Sequence, residues 1–370
     1  MSLIRDILDR VFFPNRDVHA ISSLDGGFSP NRRLDDAEII ADLPGVNGVC
    51  IGENGSVYAS SGNQIVCWPN GDFLKSSTFA ELDALVGSLA THPDGRVFAA
   101  VSGRGIVALN GEGQITGRLE IVGDTPLECV TAIAVLPDGS VAITDGSRHY
   151  AVEGWLQDLM EKRIGSGRLV LCNADLLSAR VVCDGLSWPA GIATASDALT
   201  LLVTEAWTHR LLSIVVDTGA QTVLVKNFAA YPGRITPSSS GGFWIAFFAM
   251  RTQLIEFVLR EDAFRNRMMR SVAPDLWIGP SLGDHFDYRE PTQIGRIKKL
   301  GIQKPWAPPR SYGLVARIDA AGTAVESLHS RVSGTTHGIM DIADTGGQLI
   351  VASRGNGKLV KIELERGKAS

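Results

Sequence analysis

Six short segments of the sequence share one pattern, in which an apolar run, a turn rich in glycine and aspartate, and a second β-rich run follow one another. The six segments are GVCIGENGSVYAS, SLATHPDGRVFAA, AIAVLPDGSVAIT, GIATASDALTLLVTE, RITPSSSGGFWIAF and IMDIADTGGQLIVAS. Because glycine and Asp-Gly accept the positive φ of a tight turn, each segment is predicted to be a β-hairpin. The turns are assigned to Gly55, Gly95, Gly139, Asp197, Gly242 and Gly347.

Most of these turns recur at intervals of about 40 to 60 residues, which is typical of a β-propeller built from four-stranded blades. We therefore predict an all-β fold, a six-bladed β-propeller, for residues 37–370. A strand near Ala37–Asp42 is expected to close the ring against the last blade. Residues 1–36 are predicted to form an N-terminal helix and arm.

The interval from Gly242 to Gly347 is too long for one blade, which predicts an insertion at about residues 258–312. This stretch is polar and contains prolines, so we expect a helix at 260–271 followed by a long loop. Excursions of this kind leave one face of a propeller. A partly helical insertion over the channel mouth is therefore predicted.

Composition excludes several classes of protein. Apolar residues make up 45% of the chain and charged residues 20%, as expected of a globular protein with an ample core. The net charge of -5 is too small over 370 residues to indicate a nucleic-acid partner. No apolar run reaches the ~18 residues of a membrane span. The five cysteines form no C-x-x-C pair, so we expect buried thiols and a cytoplasmic location. The oligomeric state is left open.

Four motifs occur in order in the middle of the chain: TDGSRHY at Thr144–Tyr150, GRL at Gly167–Leu169, GLSWP at Gly185–Pro189 and TEAWTHR at Thr204–Arg210. Together they resemble the strictosidine synthase-like family of six-bladed propellers, which is related to the gluconolactonase (senescence-marker) and paraoxonase families. The resemblance covers most of residues 37–365. It implies a fold rather than one activity, because this fold carries several chemistries. Glu205 and Arg210 of the last motif are interpreted as a structural pair.

In the calcium-dependent relatives, a Glu and several Asn or Asp side chains just before the inner strands converge on one ion, which polarises a lactone carbonyl. The resemblance places those positions at Asn47, Thr131, Ala190 and Gly233–Arg234. None of these residues is a carboxylate, and an arginine repels a cation. We therefore expect that the family-type calcium site is lost, and we predict no metal and no other cofactor.

Arg234 is the most informative of these residues. A fixed guanidinium can bind a substrate carboxylate or stabilise an oxyanion, and the alternative is an arginine that reaches solvent or pairs with an acid of the insertion. His337, just before the inner strand of blade six, is the candidate base, with a structural role as the alternative. The plant strictosidine synthases use a blade-six Glu for proton transfer. The matching residue here is Met340, which argues against strictosidine synthesis.

We therefore predict a small-molecule enzyme, a metal-independent hydrolase of a lactone, ester or similar bond. Its substrate is expected to be a small molecule that carries a carboxylate. Two alternatives stay open: a metal-free lyase or condensing (Pictet-Spengler-like) enzyme, and a non-catalytic propeller that binds a ligand or a protein. Catalytic roles are assigned to His337 and Arg234, and substrate-binding roles to Asn47, Thr131, Ala190 and His149.

Overall fold

Antiparallel four-stranded sheets follow one another along most of the chain. The structure is a computed structural model, and it describes residues 20–284, 298–299, 302–303, 310–332 and 334–364. Strand β1 spans Glu38–Asp42. Blade 1 consists of β2 Val46–Ile51, β3 Val57–Ser61, β4 Gln64–Trp68 and β5 Ser77–Glu81. Blade 2 consists of β6 Val86–Thr91, β7 Val97–Val101, β8 Ile106–Leu109 and β9 Ile115–Leu119.

A two-stranded ribbon of β10 Ile121–Val122 and β11 Thr125–Pro126 leads into the third sheet. Blade 3 consists of β12 Val130–Val135, β13 Val141–Asp145, β14 Gly167–Cys172 and β15 Ala179–Leu186. Its excursion between β13 and β14 contains a 3-10 turn at Val152–Gly154 and helix α1 at Trp155–Met160. Blade 4 consists of β16 Pro189–Thr194, β17 Thr200–Glu205, β18 Arg210–Val215 and β19 Gln221–Val225.

The fifth sheet is interrupted by the insertion. Its strands are β20 Ala230–Pro237, β21 Phe243–Met250, β24 Gly313–Ile318 and β25 Ala324–Ser330. The insertion between β21 and β24 contains α2 Gln253–Arg260, α3 Asp262–Ser271, a 3-10 turn at Pro274–Leu276, β22 Lys298–Lys299 and β23 Ile302–Gln303. Blade 6 consists of β26 Ile339–Asp344, β27 Gln348–Ser353, β28 Lys358–Glu363 and the N-terminal β1.

The innermost strands of the six blades contact one another in a closed ring, in the order β2, β6, β12, β16, β20, β26 and again β2. The predicted six-bladed propeller is thus confirmed. Closure is made by β1, which pairs with β28 from Glu38 opposite Lys361 to Asp42 opposite Lys358. The sequence predicted this closing strand. It joins the two ends of the propeller within one sheet, so that blade 6 is complete.

The hairpin turns adopt the positive φ that the sequence pattern predicts, with two shifts by one residue. In blade 4 it is Ala198 (φ 57°) that takes the left-handed conformation, while the Asp197 carboxylate accepts hydrogen bonds from the backbone N–H groups of Leu199 and Thr200. In blade 6 the left-handed residue is Gly346 rather than Gly347. The other four left-handed turn residues are Gly55, Gly95, Gly139 and Gly242.

Two helices, rather than the one predicted at 260–271, open the insertion. Helix α2 begins directly after Thr252, whose hydroxyl caps it by accepting a hydrogen bond from the Ile255 N–H at 3.3 Å. Glu261, with ψ 79°, separates α2 from α3. The insertion therefore starts at Arg251, earlier than the predicted residue 258.

The insertion packs beside the channel mouth on an apolar cluster that joins α1, α2 and α3 to blades 4 and 5. Its largest members are Trp188, Trp207, Tyr231, Phe248 and Trp277. Leu34 of the N-terminal arm is fully buried among residues of blades 5 and 6. The predicted N-terminal helix lies outside the described residues for positions 1–19. No helix in the described part of the chain has the length and hydropathy of a transmembrane segment.

Candidate functional site

Every innermost strand carries a register irregularity near its start, at the same end of the channel. A β-bulge of this kind leaves residues out of the ladder and re-aims their side chains. The repeated bulge places one or two residues of each blade around the channel mouth. The irregularities lie between Val46 and Val49, Val86 and Leu89, Val130 and Ala132, Pro189 and Gly191, Pro232 and Ile235, and Ile339 and Asp341.

A cavity of about 140 Å³, here called the mouth cavity, lies against this ring of bulges. The sequence-predicted residues Asn47, Thr131, Ala190 and Arg234 all line it. The remaining described lining residues come from blades 5 and 6, the blade 3 excursion, the connection between blades 3 and 4, and the insertion: Val152, Glu153, Trp155, Trp188, Gly233, Phe248, Leu282, Met340 and Arg354. The bulges thus bring together the positions that the resemblance selected.

Arg234 reaches across the channel instead of pointing out to solvent. Its Nε donates to the Thr131 carbonyl at 3.1 Å, and Nη1 donates to the Asn47 carbonyl at 2.6 Å. Nη2 donates to Asn47 Oδ1 at 2.8 Å. The guanidinium therefore ties blade 5 to blades 1 and 3, and its side chain is only 8% exposed.

Asp341 lies beside Arg234 and faces a second cavity at the opposite end of the channel. Its Oδ2 accepts hydrogen bonds from the Val49 N–H at 3.0 Å and from Arg234 Nη1 at 3.4 Å, and its Oδ1 accepts from the Ile342 N–H at 2.9 Å. Burial raises the pKa of Asp341 to about 6, although the Arg234 charge and the backbone donors lower it. Burial also lowers the pKa of Arg234, so desolvation outweighs pairing at both groups.

Thr131 and Ala190 contribute shape rather than free polar atoms. The Thr131 hydroxyl lies 2.5 Å from the Pro189 carbonyl and 2.9 Å from Thr144 Oγ1, so it is used in joining blade 3 to blade 4. Ala190 is 7% exposed and presents a methyl group to the cavity beside Trp188. Neither residue therefore presents a free polar atom to the cavity, and the substrate-binding role of both stays a prediction.

Arg354 is a second arginine that lines the mouth cavity, and it was not predicted from the sequence. It follows the last residue of β27 and is partly exposed. Within the part of the chain that the structure describes, its guanidinium makes no hydrogen bond, and burial lowers its pKa while the charge of Glu153 raises it. Its one signal in the sequence is its position directly after the second strand of blade 6. Ser102 holds the same position after the second strand of blade 2.

Glu153 is the one carboxylate among the described residues that line the mouth cavity. It belongs to the 3-10 turn of the blade 3 excursion, and its Oε2 accepts a hydrogen bond from Ser102 Oγ of blade 2 at 2.6 Å. This contact fixes the excursion across the channel mouth. Glu153 therefore supplies a carboxylate beside Arg354 that can act as an acid or base and that Ser102 keeps in place.

Neither predicted histidine lines the mouth cavity. His337 is fully buried, with Nδ1 2.8 Å from Ser311 Oγ and Nε2 2.8 Å from the Arg331 carbonyl, so both ring nitrogens are engaged away from Arg234. This geometry corresponds to the structural alternative for that residue. His149 is exposed on the blade 3 excursion, where its backbone N–H donates to Ser147 Oγ.

Aromatic side chains form part of the wall of the mouth cavity. Trp188 stacks on Trp207 with ring centroids 5.0 Å apart, and Trp155 meets Phe248 edge to face at 5.7 Å. Trp207 is held from behind, because its Nε1 donates to the buried Asp158 carboxylate at 2.7 Å. The wall is therefore rigid, apolar and suited to a flat organic group.

The side chains at the centre of the ring do not fit a calcium ion. Calcium takes six to eight oxygen ligands, usually with carboxylates among them. Here the Arg234 guanidinium lies against Asn47 Oδ1, the oxygen that would otherwise be offered, and its charge repels a cation. Among the described residues, no group of three or more His, Cys, Asp or Glu side chains is arranged to hold a metal ion.

The comparisons with known proteins agree with this frame. Residues 131–217 match the family model of strictosidine synthase. Adipocyte plasma membrane-associated protein from Mus musculus is 27% identical over 190 residues, which cover 48% of this chain and 45% of that protein. The chain spans 62% of the Salmo salar protein of the same name, so the curated relatives are considerably longer than the matched part.

Solved structures share the fold at low sequence identity. A gluconolactonase from Xanthomonas campestris has a TM-score of 0.58 at 14% identity, covering 90% of this chain and 91% of that one. A regucalcin from Agrobacterium tumefaciens, described as a calcium-binding protein, has a TM-score of 0.55 at 13% identity and covers 88% and 92%. The chain thus shares the six-bladed propeller fold of these structures, and its resemblance to the strictosidine synthase-like family is confirmed.

Proposed function

We propose that the mouth cavity binds a small carboxylated organic molecule and hydrolyses an ester or lactone bond in it without a metal ion. The observation that carries this proposal is the pairing of two arginines in one cavity. Arg234 has its hydrogen bonds made by the protein, whereas Arg354 offers an unbonded guanidinium among the described residues. An arginine of the second kind is suited to a carboxylate or an oxyanion.

Binding rests on two complementary surfaces. The planar donors of Arg354 pair with an anionic group of the ligand, while Trp155, Trp188 and Phe248 accept its apolar part. Because the cavity is partly closed to water, the ion pair is stronger there than in bulk solvent. The volume of about 140 Å³ restricts the ligand to a small molecule.

The chemical step assigns to Glu153 the role of base that the sequence assigned to His337. Glu153 takes a proton from water while the water oxygen attacks the carbonyl carbon. The five N–H donors of Arg354 allow it to pair with the substrate carboxylate and to stabilise the oxyanion that forms. The bond between the carbonyl carbon and the leaving oxygen then breaks, and the proton passes from Glu153 to that oxygen. A carboxylic acid, which then loses its proton to solvent, and an alcohol leave, or one hydroxy acid if the substrate is a lactone.

The test is turnover of a panel of aryl esters and lactones by the wild type and by variants at both residues. Arg354→Ala is expected to lower kcat/KM by about 10- to 100-fold, because a charge-assisted hydrogen bond is lost. Glu153→Gln is expected to lower kcat by about 100-fold or more, since general base catalysis contributes on the order of 10² to 10⁴. Arg118→Ala, on the outer strand of blade 2, is the matched control and should leave both constants unchanged.

A non-catalytic ligand-binding propeller is the second candidate. It is favoured by the state of Glu153, whose carboxylate already accepts the Ser102 hydrogen bond. Under this alternative the panel shows no turnover, while a carboxylated ligand still raises the melting temperature through binding to the folded state. Turnover that both variants leave intact contradicts the assignment of this cavity as the active site.

A further inference from the structure

A smaller cavity of about 70 Å³ adjoins the mouth cavity over blades 1 and 2. We call it the glycine lobe, after Gly45, Gly62 and Gly87, which line it together with Ala100. The two cavities share the border residues Asn47, Val152, Glu153 and Arg354. The unbonded guanidinium therefore lies between a larger, aromatic cavity and a smaller one.

Three glycines line the glycine lobe, and at one of them the backbone conformation does not require glycine. Gly45 and Gly62 have positive φ values of 78° and 59°, so their backbone itself favours glycine. Gly87 has no such requirement. The three atoms nearest to a Cβ built there are Ala100 Cβ at 3.6 Å, Arg234 Nη2 at 3.8 Å and the Ala100 carbonyl oxygen at 3.9 Å, which are ordinary contact distances. Glycine at position 87 thus leaves space that an alanine would occupy.

From this arrangement we infer that the ligand is a carboxylate branched at the carbon next to the carboxyl group, with an aryl group and a short alkyl group as its two branches. The inference rests on the proposed function in one respect, that the carboxylate binds Arg354. The aryl group lies against Trp155, Trp188 and Phe248, and the alkyl branch enters the glycine lobe. A volume of about 70 Å³ is enough for a few carbon atoms, given ~15 Å³ for each water-sized group.

This geometry has a stereochemical consequence. The carboxylate, the aryl group and the alkyl branch each have a separate place, and the two cavities differ in volume. Only one enantiomer of a ligand that carries these three groups on one carbon therefore fits. The opposite enantiomer has to direct its alkyl branch at the border residues or leave the glycine lobe empty.

The first experiment measures binding of phenylacetate and of the two enantiomers of 2-phenylpropionate to the wild type by calorimetry. We expect one enantiomer to bind about tenfold more tightly than the other, the discrimination that one methyl group in a fitted pocket supplies. Equal affinities for the two enantiomers overturn the inference. If phenylacetate still binds and Arg354→Ala abolishes that binding, the proposed function stands although the inference about the branched ligand fails. If none of the three carboxylates binds, both proposals fall.

The second experiment fills the glycine lobe by Gly87→Ala. It should weaken the favoured enantiomer at least fivefold while phenylacetate, which has no branch, keeps its affinity. Gly111→Ala is the matched control, because a Cβ at this exposed turn of blade 2 meets nothing within 4 Å. A melting curve establishes that each variant is folded. An unchanged affinity of the favoured enantiomer in folded Gly87→Ala contradicts the inference.

Discussion

At the centre of the channel, one guanidinium is held by acceptors from three other blades. The hydrogen bonds of Arg234 go to Asn47, the Thr131 carbonyl and Asp341. Burial disfavours both charges of the Arg234–Asp341 pair, as the raised pKa of Asp341 and the lowered pKa of Arg234 indicate. A buried pair of this kind contributes little net stability, so we interpret it as a device that fixes a cation in one place.

The titration of Asp341 predicts a pH dependence of stability. Its pKa is about 6 in the folded protein, against 3.8 for an unperturbed aspartate, so the folded state holds the proton more tightly than the unfolded chain does. The stability from this group is therefore fully present below pH 3.8 and is lost as the pH rises through 6. The loss amounts to about 3 kcal/mol at 1.36 kcal/mol per pKa unit.

Asp341→Asn removes this titration, and denaturant unfolding between pH 4 and pH 8 measures it. The free energy of unfolding of the variant, taken relative to the wild type, should increase by about 2 kcal/mol from pH 4 to pH 7, the part of the titration that lies in this range. A difference between the two proteins that stays constant over this range contradicts the raised pKa.

The sequence located Asn47 and Arg234 where the repeated bulge fixes their positions, and both line the mouth cavity, while the roles assigned to them stay predictions. It did not find Arg354, because whether a strand-end arginine has partners depends on contacts that only the folded chain reveals. His337 shows the same limit in reverse. Its ring is satisfied by Ser311, a residue that the insertion separates from the body of blade 5 in sequence.

At the scale of the strand, the ring of bulges depends on glycines that face the backbone of the next blade. A Cβ at Gly191 would lie 2.4 Å from the Gly233 carbonyl oxygen and 2.7 Å from Arg234 Cα. Neither atom can move without shifting β20 and with it the Arg234 side chain. The hydroxyl of Thr204 holds the same Gly233 carbonyl at 2.7 Å, so this joint between blades 4 and 5 is fixed from two sides.

Gly191→Ala is therefore predicted to lower the free energy of unfolding by about 1–3 kcal/mol or more, through overpacking against backbone. The comparison is with Gly347→Ala, where a Cβ meets nothing within 4 Å and the change should be near zero. Chemical denaturation of both variants measures the effect. Equal stability of the two would mean that the bulges of blades 4 and 5 are not in close contact.

Elements were predictable to the extent that their pattern repeats. The hairpins recur and carry turn chemistry, so their existence and closing strand followed from the sequence. Helix α2 was not predicted, because FWIAFFAMRTQLIEFVLR reads as one long apolar stretch after a strand. The signal that divides it is Thr252, a helix-capping residue at the point where β21 has ended.

Over the whole molecule, one closed ring carries a mouth assembled from parts far apart in sequence. Blades 1, 3, 4, 5 and 6, the blade 3 excursion and the insertion all supply lining residues of the mouth cavity. The fold is that of propellers whose names refer to lactones and to calcium, yet the centre of the ring here holds a guanidinium. The scaffold and the chemistry of its centre are therefore separable.

If a guanidinium does the work of the metal in this propeller, turnover is independent of divalent ions, and chelation measures that dependence. The best substrate of the ester and lactone panel is assayed with the wild type before chelation, after removal of divalent ions, and after calcium is added back. We predict the same rate in all three states, because Arg234 and Arg354 carry the positive charge. A loss of about tenfold or more on chelation that calcium reverses would contradict the metal-free mechanism.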